Sequence, residues 1–260
     1  MRWCRFSHAK KVAYGIVEGD EVLPVAGTPF GRYRRTGKRL SLSDVKVMVP
    51  CTPSTFYAAG SNYLEHDTLM ARMMGKEPSP PKAPYVNYRT NNALIAHGES
   101  IVIPRDAPDK TQYEGELVVV IGKQAKHLSE TDALSCVLGY TIGNDFSERT
   151  WQQMDRTFWR CKNSDTFKPM GPWIETDVDI EAMQTIVRVN GRVATQFKTA
   201  NMIFGVATYL AAMTRYLTLY PGDVLWMGTD LVPETVTAGD VVEVELTGIG
   251  VLRNPVTREA

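Results

Sequence analysis

The sequence predicts a mostly β (α+β) fold with a small β-rich N-terminal region (residues 1–50) and a larger domain (residues 51–260). Two observations support this prediction. Early in the chain, short apolar runs alternate with turn residues, as in Val12–Val17 followed by Glu18-Gly19-Asp20, which is the pattern of β-hairpins. Later, Asn190-Gly191 separates two apolar runs and suits a type I′ hairpin turn.

Between these hairpins the sequence predicts a strand, a helix and a loop. Residues 40–53 come closest to a linker between the two parts. A strand at 55–60 follows, and Ser61 or Asn62 can cap the helix that comes next. This helix should end before the proline-rich segment 75–81, and it is either mobile or packed in the core through its methionines. Its apolar residues are Leu69, Met70, Met73 and Met74.

The remainder of the chain alternates strands with further helices. Ser129-Glu130-Thr131-Asp132 resembles a capping box, so a helix is predicted to begin there and to end at Gly139. The apolar residues of this helix are Leu134, Val137 and Leu138. The other predicted elements are a polar turn or helix at 147–152, a helix at 204–216, and strands at 100–104, 112–122, 140–145, 186–189, 192–194, 224–227 and 241–246.

Composition argues against several classes of function. Lysine plus arginine and aspartate plus glutamate each number 29, so no overall field favours nucleic acid or an anionic membrane. No apolar run reaches the roughly 18 to 20 residues that cross a bilayer, and the first residues lack the apolar block of a signal peptide. We therefore expect a cytoplasmic protein with no nucleic-acid or membrane partner. The widely spaced cysteines do not suggest a zinc site and should be reduced and structural: Cys4, Cys51, Cys136 and Cys161.

The most informative stretch is Glu114-Gly115-Glu116, which runs directly into a series of aliphatic residues. Side chains alternate faces along a strand, so the two carboxylates point to the same side as Val118 and Val120. Carboxylates entering a core need a compensating charge, which a divalent cation supplies well; the alternative is a strand end exposed to solvent. Asp145 ends another predicted strand and would complete an all-oxygen site suited to Mg²⁺ or Mn²⁺, with Ca²⁺ also open.

Several other side chains could act beside such a metal. Arg149, Gln152 and Lys162 are donors that can hold an anionic group or a developing oxyanion, although each alone could be a surface residue. His66 lies between an ordered motif and a flexible loop, and it is the candidate general base. A lone histidine is more often a surface or hydrogen-bonded residue, so this assignment needs structural support.

Motifs in the same order along residues 55–256 resemble the fumarylacetoacetate hydrolase family. They are Asn62-Tyr63-x-x-His66, Tyr113-Glu114-x-Glu116-Leu117, Gly139-Tyr140-Thr141-Ile142-Gly143-Asn144-Asp145-x-Ser147-x-Arg149-x-x-Gln152, Lys162-x-x-Asp165-Thr166-Phe167-x-Pro169, Gly171-Pro172-Trp173, Val189-Asn190-Gly191, Met202-Ile203-Phe204, Pro221-Gly222-Asp223-Val224 and Gly228-Thr229. The resemblance implies a rolled mixed β-sheet catalytic domain, a small N-terminal region and a homodimer.

The same resemblance implies roles for individual residues. The metal ligands of the family fall on Glu114, Glu116 and Asp145, and its substrate-anchoring donors fall on four positions: Arg149, Gln152, Lys162 and Thr229. Members of the family cleave carbon–carbon bonds in acylpyruvates and related β-dicarbonyls, or decarboxylate, isomerise or tautomerise 2-oxo acids. All these reactions pass through an enolate held by the metal.

Two departures from the family pattern bear on the reaction. The family usually carries His-x-x-Glu, in which the glutamate orients the histidine that activates water, but Leu69 stands at the glutamate position here. An imidazole without its carboxylate loses tautomer control, although Glu65, Asp67 or Glu77 could substitute. The second departure is Tyr88-Arg89-Thr90, where the family commonly has an apolar residue followed by Lys-Pro; we expect an altered pocket or lid.

The sequence therefore leads to one main hypothesis and two alternatives. The first is a Mg²⁺- or Mn²⁺-dependent hydrolase of an acylpyruvate-like 2-oxo acid, in which His66 activates water and Lys162 stabilises the anion. The closest alternative is a decarboxylase or an isomerase and tautomerase at the same site, because these reactions need no hydrolytic water. The third is a non-catalytic binding module whose basic segment, residues 31–39, contacts a partner; the other reading of that segment is a solvated connection.

Overall fold

The computed structural model of the protein describes residues 1–73, 75–230 and 233–260, with Met73 lacking a described side chain. Strands account for 42% and helices for 14% of the described residues, which confirms the mostly β prediction. The N-terminal region consists of β1 (Arg2–His8), β2 (Lys11–Glu18), β3 (Glu21–Gly27), β4 (Tyr33–Arg35), β5 (Leu40–Ser41) and β6 (Lys46–Met48).

The larger part of the chain adds the remaining strands and the α-helices. In chain order they are β7 (Phe56–Gly60), α1 (Leu64–Met73), β8 (Tyr85–Tyr88), β9 (Leu94–Ile95), β10 (Ile101–Ile103), β11 (Thr111–Gln112), β12 (Gly115–Ile121), β13 (Val137–Asn144), β14 (Ser147–Glu148), α2 (Arg149–Gln152), β15 (Lys168–Glu175), β16 (Gln184–Val189), β17 (Arg192–Lys198), α3 (Val206–Tyr216), β18 (Val224–Trp226), β19 (Val241–Leu246) and β20 (Gly250–Arg258). Short 3₁₀ helices cover Leu42–Asp44, Asn91–Ala93, Ala133–Cys136 and Thr199–Asn201.

One large sheet joins the N-terminal region to the rest of the chain. Its strand order is β4-β3-β2-β1-β15-β13-β12-β18-β7-β8, and β1 pairs antiparallel with β15 while β18 pairs parallel with β7, so the sheet is mixed as predicted. Residues 40–53 are not a free linker, because β5 pairs with β3 and β6 pairs with β1. The division of the chain at residue 50 stays a prediction.

A second sheet, in the order β10-β20-β19-β16-β17, packs against the large sheet over β12, β13 and β15. Gly115 is what allows the two sheets to approach at the start of β12. A Cβ added there would lie 2.8 Å from Val187 and 2.9 Å from Val244, both in the second sheet. The glycine between the two glutamates is therefore required by packing.

Two sequence predictions needed correction. The helix expected to begin at residue 129 is only the 3₁₀ turn Ala133–Cys136, although Ser129 Oγ and Asp132 do make the expected contacts. Val137, Leu138 and Gly139 instead belong to β13, because pairing with β12 outweighs the local helical signal. Asn62 does not cap α1 through its amide: that group donates to Phe204 O and Met227 O, and its oxygen accepts from Phe204 N.

Most other elements lie where they were predicted. The turn residues Asn190 and Gly191 have φ values of 52° and 79°, as a type I′ turn requires, and β16 and β17 pair across them. The helix predicted over 204–216 is α3. The predicted Met-rich helix is α1, and Met74 lies outside the described residues. The four cysteines are buried and free, as predicted, and within the described ranges no helix is long and apolar enough to cross a membrane.

Candidate metal centre and active site

Three carboxylates converge where β12 begins and β13 ends. β12 and β13 are antiparallel, with Gly115 paired to Asn144, so Glu114 and Asp145 flank the same strand junction. Asp145 N donates to Glu114 O at 2.8 Å, which fixes this junction. One ligand oxygen from each of Glu114, Glu116 and Asp145 lies within 4.8 Å of the other two. The structure therefore brings together the three predicted metal ligands.

These carboxylates are buried, which eliminates the alternative of a strand end in solvent. Glu114, Glu116 and Asp145 are only 5%, 2% and 1% exposed. On the same face of β12, Val118 and Val120 pack in a core with Trp226, so the two glutamates extend a buried stripe. Burying three acidic groups in contact requires neighbouring positive charge.

Lys162 and Arg149 supply part of that charge, and both were predicted to act here. Lys162 Nζ donates to Glu114 Oε2 at 2.7 Å and to Asp145 Oδ2 at 2.9 Å, so it bridges two of the carboxylates. Arg149, the first residue of α2, donates through Nη2 to Glu114 Oε1 at 2.5 Å. Its Nε donates to Gln112 Oε1 at 2.7 Å, and its Nη1 donates to Gln152 Oε1 at 2.8 Å. Arg149 and Lys162 are therefore fixed by the network.

Two further cations contact Asp145, and the sequence assigned a site role to neither. Lys168, in β15, is fully buried and lies 2.6 Å from Asp145 Oδ1. Arg89 donates through Nη2 to Asp145 Oδ2 at 2.8 Å. A lysine in the apolar run Phe167–Met170 was an available signal for Lys168, and Arg89 was noticed only as a departure from the family pattern.

The environment separates the pKa values of the three carboxyl groups. Burial raises the pKa of Glu114, but the positive charges of Lys162 and Arg149 outweigh this effect and lower the pKa to about 2. Burial and then the negative charges of Asp145 and Glu114 raise the pKa of Glu116 to about 8. Burial also opposes ionisation of Asp145, yet Arg89, Lys162 and Lys168 hold its pKa well below the ordinary value. Glu116 is thus the carboxyl group that most lacks a neighbouring cation.

The triad forms part of the wall of a cavity of about 380 Å³, which also contains the other predicted site residues. His66, on α1, is half-buried in this wall. Gln152 and Thr229 line the same cavity, and Thr229 follows Gly228, whose N–H donates to Glu116 Oε2 at 2.7 Å. All eight predicted site residues therefore border one space; their roles remain to be tested.

The residues near His66 bear on the glutamate that is missing from the His-x-x-Glu motif of the family. Leu69 is half-buried on α1, three residues after His66. Asp67 and Glu77 line the cavity with His66, whereas Glu65 is exposed on α1. Two of the three carboxylates considered as substitutes thus border the same space as the imidazole.

The donor set suits a divalent cation. Three carboxylates offer hard oxygen ligands of the kind that Mg²⁺, Mn²⁺ and Ca²⁺ prefer. A cation beside Glu116 would also supply the positive charge that the high pKa of this group shows to be lacking. The residues that are present therefore fit the metal predicted from the sequence.

Comparisons with known proteins cover nearly the whole chain. The family described as fumarylacetoacetate (FAA) hydrolase C-terminal matches residues 55–257, and the Rv2993c-like N-terminal family matches residues 1–50. Protein Rv2993c of Mycobacterium tuberculosis is 35% identical over 269 residues, covering 100% of this chain and 99% of that protein. The mitochondrial oxaloacetate tautomerase Fahd2a of Rattus norvegicus is 31% identical over 226 residues, covering 82% and 70%. The crystal structure of 5-carboxymethyl-2-hydroxymuconate delta-isomerase from Mycobacterium smegmatis superposes with a TM-score of 0.90 at 35% identity over 100% of both chains.

Proposed function

Because the chain belongs to the fumarylacetoacetate hydrolase family, we propose that it is a divalent-metal-dependent enzyme that converts a small 2-oxo acid through an enolate. The observation that carries this proposal is the convergence of three buried carboxylates on one cavity wall. Lys162 and Arg149 at the same wall provide donors for an anionic substrate. Family membership alone would not indicate a competent site, since function depends on the residues of the site.

In this proposal Glu114, Glu116 and Asp145 hold Mg²⁺ or Mn²⁺, with Ca²⁺ as the remaining candidate. Such an ion supplies Lewis-acid polarisation of a carbonyl group and charge for a developing oxyanion. Glu114 and Asp145 are ionised ligands, because their pKa values lie below the ordinary range. Glu116 would join them as a carboxylate once a cation compensates its neighbours.

The remaining site residues bind the substrate and move its proton. Arg149 is held by Gln112 and Gln152, so its guanidinium is already oriented for a carboxylate of the substrate. Lys162 places a positive charge beside the triad and stabilises negative charge that develops on the substrate. Thr229 can donate its hydroxyl from the same wall, and His66 accepts or returns the proton.

Among the reactions of the family, we favour isomerisation or tautomerisation of a 2-oxo acid, with decarboxylation as the near alternative. Proton transfer needs one base and no activated water, which suits a site with Leu69 in place of the glutamate of the His-x-x-Glu motif. Two relatives above 30% identity, an isomerase and an oxaloacetate tautomerase, also support this order.

Carbon–carbon hydrolysis of an acylpyruvate, which the sequence alone placed first, is the candidate after these. It is supported by Asp67 and Glu77 in the cavity wall beside His66, because either could orient the imidazole. Leu69→Glu tests this candidate directly. If hydrolysis is limited by orientation of His66, the variant should hydrolyse acetylpyruvate about tenfold or more faster than wild type, and His66→Ala should remove that gain.

The decisive experiment follows oxaloacetate and acetylpyruvate with the wild type and Glu116→Gln, with and without Mg²⁺. We expect metal-dependent enol–keto exchange of oxaloacetate by the wild type and a loss of roughly a hundredfold or more in the variant. Release of pyruvate from acetylpyruvate would establish hydrolysis, and release of CO₂ from oxaloacetate would establish decarboxylation. A wild type that neither binds Mg²⁺ nor turns over any of these compounds would refute the proposal.

The binding-module alternative has less support in the structure. In the basic segment 31–39, Arg35 pairs with Glu18, and Arg39 pairs with Glu21. These exposed pairs argue against a polyanion contact, and Tyr33–Arg35 of the segment form the exposed edge strand β4 instead of a plain solvated connection. The homodimer and the cytoplasmic location remain predictions; sedimentation of the purified protein tests the former.

A further inference from the structure

Three cations converge on the single carboxylate of Asp145. Lys168 Nζ contacts Oδ1 at 2.6 Å, while Arg89 Nη2 and Lys162 Nζ contact Oδ2 at 2.8 and 2.9 Å. The side chains of Asp145, Arg89 and Lys168 are 2%, 3% and 0% exposed. Lys162 also forms an ion pair with Glu114, but the single negative charge of Asp145 still cannot neutralise the cations that contact it.

Of these cations, Lys162 and Arg89 line the cavity and keep donors for an additional ligand. Lys162 has one N–H left beside the triad after its two bonds to described residues; this N–H serves the head group in the proposed function, so Arg89 is the cation left for a second group. Lys168 has three acceptors, Asp145 Oδ1, Phe146 O and Phe167 O, and an ammonium has three N–H donors. Lys168 therefore contributes charge to the site but no contact. Arg89 lines the cavity, and its bonds to Asp145 and to Tyr88 O, among the described residues, use three of the five N–H donors of a guanidinium.

The charge around the triad indicates what Arg89 binds. Four cations, Arg89, Arg149, Lys162 and Lys168, surround the three carboxylates, and a divalent ion would add two more positive charges. The head group of a 2-oxo acid brings only one negative charge. Within this network of ion pairs, the positive charge that is left over is costly to bury unless the ligand carries a second anionic group.

We propose that Arg89 is a specificity-determining residue that selects 2-oxo acids with a second carboxylate over equally long 2-oxo acids with an uncharged tail. This inference rests on the proposed function, because it assumes that the head group is bound at the triad. Arg149 and Arg89 are the first and last members of the series of ion pairs that runs from Arg149 through Glu114, Lys162 and Asp145 to Arg89, so two guanidinium groups are available for the two carboxylates of a dianion. A guanidinium binds a carboxylate in bidentate fashion, which a lysine at this position could not do.

The test compares two inert ligands that share an oxalyl head group. N-oxalylglycine ends in a carboxylate, and N-ethyloxamate has a methyl group in its place. Calorimetry in the presence of Mg²⁺ should show that the wild type binds N-oxalylglycine about tenfold or more tightly than N-ethyloxamate. In Arg89→Met, which removes the charge, the ratio should fall below about threefold while the affinity for N-ethyloxamate stays within about twofold; Arg89→Lys, which keeps the charge but cannot bind a carboxylate in bidentate fashion, should give an intermediate ratio.

Lys76→Met provides the matched control, because Lys76 also lines the cavity. The control should keep the wild-type ratio. The proposal is overturned if the wild type binds both ligands equally, a result that requires no variant to fold, or if a folded Arg89→Met keeps the wild-type ratio. Should Arg89→Met be unfolded by circular dichroism, Arg89→Lys replaces it and should still lower the ratio below the wild-type value; Asp145 keeps Lys162 and Lys168 in either variant.

Failure of this inference is distinguishable from failure of the proposed function. If both ligands bind equally and only with Mg²⁺, and Glu116→Gln removes that binding, the metal site stands and only the role of Arg89 is refuted. If Mg²⁺ changes the binding of neither ligand, the proposed function itself fails.

Discussion

Glu116 and Asp145 are both acidic residues of the triad, yet their surroundings give them opposite energetic roles. Asp145 contacts three cations and is strongly ionised. Glu116 accepts one N–H bond from Gly228, and its neighbours Asp145 and Glu114 oppose its ionisation. Removing the charge of Asp145 therefore leaves buried cations without the carboxylate that neutralises them. Removing the charge of Glu116 instead relieves its repulsion with Asp145 and Glu114.

The first prediction compares Asp145→Asn with Glu116→Gln in the presence of a chelator. Asp145→Asn should lower the free energy of unfolding by about 3 to 5 kcal/mol, because it leaves buried cations unpaired. Glu116→Gln should stay within about 1 kcal/mol of wild type or be more stable, although both variants lose Mg²⁺ affinity. Urea unfolding measures the stabilities, and equal losses in the two variants would contradict this description of the site.

At the scale of elements, the site depends on the close approach of β12 to the second sheet. Gly115→Ala would place a methyl group 2.8 Å from Val187 and 2.9 Å from Val244. The second prediction is a loss of about 1 to 3 kcal/mol in the free energy of unfolding, together with weaker Mg²⁺ binding, because β12 must shift with Glu114 and Glu116.

Gly31→Ala is the control for this prediction. The nearest atom to its added Cβ would be Thr28 Oγ1 at 3.9 Å, so the variant should be neutral or slightly stabilised. The double variant Gly115→Ala/Val244→Ala should recover part of the loss, since the shorter side chain makes room for the methyl group. Additive losses in the double variant would show that the cost of Gly115→Ala does not come from this contact.

At the scale of the whole molecule, the N-terminal region and the rest of the chain share a core. Trp3 and Ile16 pack in one cluster with Val118 and Trp226, and β1 pairs with β15. The third prediction is therefore a single cooperative transition on denaturation, with coincident curves from far-ultraviolet circular dichroism and tryptophan fluorescence. Two separated transitions would mean that residues 1–50 unfold on their own.

Glu99 links the two parts and makes stability depend on pH. It accepts Ala96 N–H at 2.8 Å and Lys46 Nζ, from β6, at 2.6 Å. Burial raises the pKa of Glu99, but these donors lower it overall from the ordinary value of 4.5. Because the pKa of Glu99 is lower in the folded state, its carboxylate stabilises the protein fully at pH values above the ordinary pKa of 4.5. This stabilisation is lost as the pH falls through the lowered folded-state pKa.

The fourth prediction follows from that sign. Because the pair is largely exposed, Glu99→Gln should cost only about 0.5 to 1 kcal/mol near neutral pH. The difference from wild type should shrink as the pH is lowered from 4.5 to about 3, because Glu99 becomes protonated as the pH falls through its lowered folded-state pKa. Urea unfolding at the two pH values tests this expectation, and a difference that persists in acid would show that the effect is not electrostatic.

Local residue patterns were sufficient for much of the fold. The Asn190-Gly191 turn, α3 and the apolar run of β12 were predicted because hairpin turns and amphipathic periodicity are encoded by neighbours in the chain. The same alternation predicted that Glu114 and Glu116 share a face, the position of Asp145 at the end of another predicted strand added a third carboxylate, and the family resemblance implied that all three are metal ligands. The failure at Val137–Gly139 has a physical cause: sheet pairing with β12 outweighed a helical capping signal.

By itself the sequence determined the class of the fold and which three carboxylates are candidate oxygen ligands, because strand alternation and carboxylate chemistry depend only on residue type and spacing. Only the tertiary structure decided that these carboxylates are buried rather than exposed, and that Arg89 and Lys168 join Lys162 at Asp145. Arg89 and Lys168 lie 56 and 23 residues from Asp145 in the sequence. Charge balance in a core is set by the pairing of distant strands, which no local pattern contains.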